Sequence, residues 1–130
     1  MARKAQLPSC GVERFLLLLG GPWATLIIRE LLHGPQRFMD LRKALVGISA
    51  HTLTHRLRRF EQNGLVTRTA FAETPPRVVY ELTPLGFSLE GILYNMNDWG
   101  NSIPEDVLMT ALANERQLRH SAGSPQGRAP

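Results

Sequence analysis

The chain has 130 residues, 43% hydrophobic and 20% charged, which suits one soluble domain with a modest core rather than a disordered polyelectrolyte. Its longest strongly apolar run, Phe15 to Leu19, is far too short to cross a bilayer, no apolar signal-peptide core follows Arg3 and Lys4, and the single cysteine, Cys10, excludes an internal disulfide framework, so a reducing cytoplasm is expected. The net charge is +4, and between Gln36 and Tyr80 eight basic residues (Arg37, Arg42, Lys43, Arg56, Arg58, Arg59, Arg68, Arg77) face three acids, which places the whole positive excess in the central third.

Residues 1–9 read as a flexible arm. Val12 to Leu19 is a short apolar helix ended by Gly20-Gly21, because glycine accepts the left-handed conformation that closes a helix. Pro22 then suits the first turn of a second helix, which runs through Trp23, Leu26, Ile27 and Leu31 to Gly34-Pro35. Phe38, Leu41 and Leu45 mark one side of a third helix, Phe38 to Leu45. After the tight connection Val46-Gly47-Ile48, Ser49 is an N-cap whose hydroxyl can accept a first-turn N–H. The helix from Ala50 turns Leu53, Leu57 and Phe60 inward and stops at Asn63-Gly64.

Two strands follow, Leu65 to Phe71 and Arg77 to Leu82, with Thr74-Pro75-Pro76 at the tip of the hairpin where proline serves no ladder. Thr83 caps a long last helix with Pro84 at its first position, and Leu85, Leu89, Ile92, Met96 and Trp99 form a heptad-like seam. Pro104-Glu105-Asp106 starts one further helix, with acids near its positive end. The expected fold class is mainly α with a small β-hairpin, a winged helix-turn-helix. Its domain spans 10–103 with terminal dimerisation helices, followed by a helical extension over 104–120 and a disordered tail over 121–130.

In such a fold the second helix of the pair enters the major groove and presents its first two turns to base edges. With Leu53, Leu57 and Phe60 inward, the opposite face carries His51, Thr52, His55, Arg58 and Arg59 and no acid. Arginine can bond guanine bidentately, while histidine and threonine offer shorter donors and acceptors. Ser49 and Arg56 on the same helix, Arg42 and Lys43 before it, and Arg68 and Arg77 on the hairpin complete the expected DNA contacts. One module covers a short site, so two copies on a pseudo-palindromic operator are expected, joined through Phe15, Leu85, Leu89, Ile92, Met96 and Trp99. The competing class is a winged-helix protein-interaction module, against which the acid-free basic face argues.

Cys10 to Gly100 resembles the HxlR-type winged-helix regulators. The resemblance rests on Cys-Gly-Val-Glu-Arg (10–14), Gly-Gly-Pro-Trp (20–23), Arg-Glu-Leu-Leu-His-Gly-Pro-Gln-Arg-Phe (29–38) and Leu-Arg-Lys-Ala-Leu-Val-Gly-Ile-Ser (41–49). It continues through Leu-Thr-His-Arg-Leu (53–57), Glu-Gln-Asn-Gly-Leu-Val-Thr-Arg (61–68) and Pro-Pro-Arg-Val-Val-Tyr-Glu-Leu-Thr-Pro-Leu-Gly (75–86), in this order. It implies a dimeric transcriptional repressor or activator whose helix 50–63 reads DNA and whose terminal helices form the dimer. Pro22 stands where the family usually has lysine, so any role of that lysine is not carried over.

In some regulators of this type a cysteine at the place of Cys10 senses electrophiles or oxidants through a mixed or intersubunit disulfide. A thiolate there would be favoured by the helix amino terminus or Arg14 and opposed by Glu13; the competing reading is an inert small hydrophobe. His51 and His55 have the spacing of a metal-binding pair, but no third ligand is evident and the DNA face explains them better. Trp23 and Trp99 read as core aromatics. No nucleophile-base-acid constellation and no phosphate-cradling glycine loop is present, so neither an enzyme nor a bound cofactor or metal is expected. The expected partners are double-stranded DNA, a second copy of the chain and a small-molecule or oxidant effector.

Overall fold

The computed structural model describes residues 6–123. In chain order it contains α1 (Gly11–Leu19), α2 (Ala24–Leu31), β1 (Gln36–Arg37), α3 (Phe38–Ala44) and α4 (Ala50–Gln62). These are followed by β2 (Val66–Phe71), β3 (Arg77–Leu82), α5 (Pro84–Phe87), α6 (Glu90–Asn101) and α7 (Glu105–Gly123). The strands make one antiparallel sheet in the order β1-β3-β2, with Val66 opposite Leu82, Arg68 opposite Tyr80 and Phe71 opposite Arg77. The fold class is therefore the expected one, mainly α with a small antiparallel sheet. Strand β1 was not foreseeable from periodicity. Its two polar residues carry no alternation, and it exists because the free edge of β3 accepts Gln36 opposite Tyr80 and Arg37 opposite Val79.

The core is built from the faces that helical spacing marks. Ile27, Ile28 and Leu31 of α2, Leu41 of α3 and Leu53, Leu57 and Phe60 of α4 are buried together, closed by Leu65, Val66 and Leu82 at the base of the hairpin. Beyond Val66 every residue of β2 is exposed, while on β3 Leu82 is buried and Tyr80 still packs on the core, so the hairpin stands out from its base as a wing. The junction between α4 and the wing is tightly tied. Gly64 adopts φ +78°, Leu65 N–H bonds the Phe60 carbonyl at 2.9 Å and Gly64 N–H bonds that of Glu61 at 3.2 Å, the paired bonds of a Schellman stop. The Thr83 hydroxyl donates to the Gly64 carbonyl at 2.6 Å and accepts from Gly86 N–H at 3.1 Å.

Three boundaries differ from expectation. Pro22 does not open α2; it lies in a turn, and Trp23 caps the helix in the left-handed region at φ 73°. The chain bends by 79° between α1 and α2, and Gly21 at φ +95° together with Trp23 supplies that turn. The long helix expected from Pro84 is broken. Thr83 does cap α5, but Ser88 and Leu89 interrupt the helix before α6. Gly86 is packed on the Leu65 carbonyl with no room for a Cβ, and Leu89 drops into the core. At the other end, α7 continues through Ser121–Gly123, where a tail was expected; no proline interrupts it before Pro125. The remainder of that tail, and residues 1–5 of the expected arm, lie outside the described residues, while Gln6–Ser9 carry no helix or strand.

A first compact unit runs to Leu93 and a second begins at Tyr94, within α6. In the second unit Met96, Trp99, Val107, Leu108, Leu112 and Leu118 are exposed. Among the described residues no single helix is long and apolar enough to cross a membrane.

Candidate nucleic-acid interface

The α4 helix is held by its ends and by one face. At its start the Ser49 hydroxyl accepts the Thr52 N–H at 3.0 Å and donates to the Thr52 hydroxyl at 2.9 Å. This capping bond occupies Ser49 locally, whereas Thr52 keeps its own hydroxyl proton free to donate. With Leu53, Leu57 and Phe60 at most 2% exposed, helical geometry turns the other side to solvent. His51, His55, Arg58 and Arg59 are all exposed there. Arg42 and Lys43 are exposed in the last turn of α3.

Arg56 does not join them. Its Nη1 donates to the Gly20 carbonyl at 3.1 Å, and a Cβ on Gly21 would fall within 2.3 Å of its Nη2. Arg56 is expected among the DNA contacts as a cation of the same helix; the turn after α1 draws its guanidinium inward instead. Arg56 is thus a strut between the end of α1 and the middle of α4, and Gly21, which carries no Cβ, is what lets it approach. No pattern within α4 could signal this, because the partner is a backbone carbonyl 36 residues earlier.

The wing arginines also differ from each other. Arg77 is bound by Glu73, Nε to Oε2 at 3.2 Å and Nη2 to Oε1 at 2.9 Å, and its guanidinium lies 4.1 Å from the centre of the Phe71 ring. Its charge is therefore partly neutralised at the wing tip. Among the described residues Arg42, Lys43, Arg58, Arg59 and Arg68 enter no ion pair. Arg68 and Arg58 line one cleft between wing and helix, together with Thr54, Glu61 and Tyr80. Glu61, one turn after Arg58 on the same helix, brings an acid into that cleft.

The residues expected at a dimer seam divide in the same manner. Leu89 is buried in the core and Phe15 is half-buried against it, so Leu89 is a packing residue of its own domain. Leu85, Ile92, Met96 and Trp99 are exposed, so of the two expected core aromatics Trp23 packs on the core and Trp99 does not, and α1 adds exposed Val12, Leu16 and Leu17. Cys10 is free and exposed at the N-cap of α1. Its side chain makes no capping bond of ordinary geometry, yet the facing backbone N–H groups of Glu13, and next of Val12, hold the thiol below its usual range. The helix end itself favours the thiolate. The Arg14 side chain is turned to the Pro8 carbonyl, to which its Nε donates at 2.7 Å. Among the described residues no group of three or more His, Cys, Asp or Glu side chains is placed to hold a metal ion.

A helix-turn-helix with a wing, these exposed cations and this sequence order agree with one family, whose model for HxlR-like helix-turn-helix proteins matches residues 18–107. The chain belongs to the HxlR-like helix-turn-helix family. It is a transcriptional regulator and not an enzyme. The HTH-type transcriptional regulator YodB of Bacillus subtilis is 37% identical over 94 residues, which cover 72% of this chain and 84% of YodB. YdeP of the same organism, an uncharacterised HTH-type regulator, is 35% identical over 98 residues, or 75% of this chain and 77% of that protein. Among solved structures, the redox regulator HypR in its reduced form superposes with a TM-score of 0.71 at 36% identity, covering 78% of this chain and 99% of HypR. Membership of the HxlR-like family thus extends over the whole helix-turn-helix and wing.

Proposed function

We propose that this chain is a homodimeric, sequence-specific DNA-binding regulator that acts in the cytoplasm and responds to oxidants. The observation that carries the reading is the exposed face of α4 at His51, His55, Arg58 and Arg59, which carries no acid before Glu61 and is fixed outward by the burial of Leu53, Leu57 and Phe60. In this reading α4 enters the major groove. His51, Thr52 and His55 choose the sequence, while Arg59, Arg42 and Lys43 supply affinity through phosphates. The exposed apolar residues of α1 and α6 form the seam to a second copy, which sets two recognition helices on a pseudo-palindromic operator. Affinity for a duplex from the gene's own upstream region is expected to fall linearly on a log-log plot against salt, with a slope of several ions released. A salt-insensitive interaction, or none with any duplex, would remove this function.

Cys10 supports the oxidant response, in keeping with redox regulators such as HypR among the similar structures. Two Cys10 thiols, one per protomer, would lose two electrons and two protons to an oxidant such as diamide and form an intersubunit disulfide. Diamide is expected to abolish DNA binding by the wild type and to leave Cys10→Ser bound. Because the folded thiol titrates below the ordinary range, its alkylation by iodoacetamide should also accelerate at lower pH than that of a free cysteine. If Cys10→Ser loses DNA under diamide as the wild type does, Cys10 is not the sensor.

A further inference from the structure

The cleft between α4 and the wing is a built site that the fold by itself does not explain. It has a volume of about 430 Å³ and is lined by Thr54, Arg58, Glu61, Arg68 and Tyr80. Thr54, Arg58 and Glu61 recur at the spacing that stacks side chains on one face of α4. Arg68 and Tyr80 are directly opposed on β2 and β3, so they share one face of the wing. Thr54 and Tyr80 are half-buried, whereas Arg58, Glu61 and Arg68 are exposed. The site therefore has hydroxyls more deeply set and guanidiniums toward its mouth, with neither arginine held in an ion pair among the described residues.

We propose that Arg58 and Arg68 clamp a single phosphodiester of the DNA backbone in this cleft, one arginine from the reading helix and one from the wing. The inference rests on the DNA-binding reading above and specifies it. The chemistry matches the ligand in three respects. Guanidinium groups present planar forks suited to phosphate oxygens, and the Thr54 and Tyr80 hydroxyls can donate further bonds. Two arginines and one glutamate leave a single positive charge, which balances a phosphodiester monoanion but not a dianion. Finally, a strand lying between the major groove, where α4 would sit, and the minor groove, where a wing would sit, must pass between those two elements. A small effector is poorly served here, because such ligands are held in pockets that bury most of their surface, and three of the five lining residues are exposed.

The test is a salt series on the upstream duplex, read by fluorescence anisotropy, for the wild type, Arg58→Gln, Arg68→Gln and the double variant. Both positions are exposed, so folding should survive, and the thermal midpoint would verify it. Each single variant is expected to bind more weakly, and the double variant should be scarcely weaker than either. All three salt slopes should be shallower by about 0.9, the equivalent of one phosphate. A duplex with one phosphate replaced by a neutral methylphosphonate should reproduce the loss in the wild type at a single backbone position. At that position the double variant should be indifferent. If the double variant loses a slope of about 1.8, the arginines meet separate phosphates and the clamp is wrong. Unchanged slopes in the variants against a salt-dependent wild type overturn the clamp alone, whereas a salt-independent wild type overturns the DNA reading as well. Saturable binding of inorganic phosphate at matched ionic strength, lost in the double variant with no methylphosphonate-sensitive position, would make the cleft a free-anion site and also overturn the proposal.

Discussion

Phe60→Ala is expected to destabilise the chain by about 3–5 kcal/mol and to lower its melting midpoint by on the order of 10–20 °C. Phe60 is 2% exposed and is among the largest side chains of the core. Its truncation removes transfer free energy and leaves a cavity that close-packed neighbours only partly fill. The position also carries the end of α4, since the Phe60 carbonyl accepts the Leu65 N–H that turns the chain into the wing. Loss of packing there should loosen helix and wing together, and DNA binding at raised temperature should fail with folding rather than before it. For a domain whose total stability is of the ordinary 5–15 kcal/mol, roughly, the effect is large. The contrast is Arg59→Ala on the exposed face, which should leave the stability within about 0.5 kcal/mol of the wild type. Differential scanning calorimetry decides it. A Phe60→Ala protein that melts with the wild type would mean that α4 does not bury this face, and the assignment of its outward face would fall with it.

What the residues disclosed in advance was mostly local. Ser49, Asn63-Gly64 and Thr83 are short-range signals, and the cap and stop they imply appear at those places. The inward stripe of α4 was legible because a 3.6-residue period needs no knowledge of partners. The failures share one cause, a contact between segments far apart in sequence. The Leu85–Trp99 seam looked continuous because its spacing is heptad-like, but Gly86 must lie against the Leu65 carbonyl and Leu89 is claimed by the core, so the helix breaks between them. Pro22 looked like a helix start because proline commonly is one; the bend that brings Gly20 to Arg56 moved the start to Ala24. Arg77 read as a free cation until its own hairpin supplied Glu73. Charge clustering located the interface broadly, yet it could not separate cations turned outward from those used within the fold.

The sharpest consequence of that separation concerns Arg56. Arg56→Ala removes a charge-assisted hydrogen bond to the Gly20 carbonyl, for which about 1.5–3 kcal/mol of stability and a midpoint on the order of 5–10 °C lower are expected. It also detaches the end of α1 from α4. Duplex affinity should therefore fall because the helix is less well held, while the slope of log affinity against log salt stays at its wild-type value, since no phosphate contact is lost. Arg58→Gln, on the exposed face, should behave in the opposite sense, with a shallower slope and an unchanged midpoint. Gly21→Ala offers an independent approach to the same strut. A Cβ there would lie 2.3 Å from Nη2 and 3.0 Å from Cζ of Arg56, and φ +95° is itself strained for alanine. It should displace the guanidinium and reproduce the Arg56→Ala phenotype, so the double variant should cost less than the two singles combined. Arg56→Lys should recover little, because an ammonium lacks the planar fork that lies against the glycine. Should Arg56→Ala instead keep its melting midpoint and lose a slope of about 0.9, Arg56 would be a phosphate contact after all, and the link between α1 and the reading helix would have to be sought elsewhere.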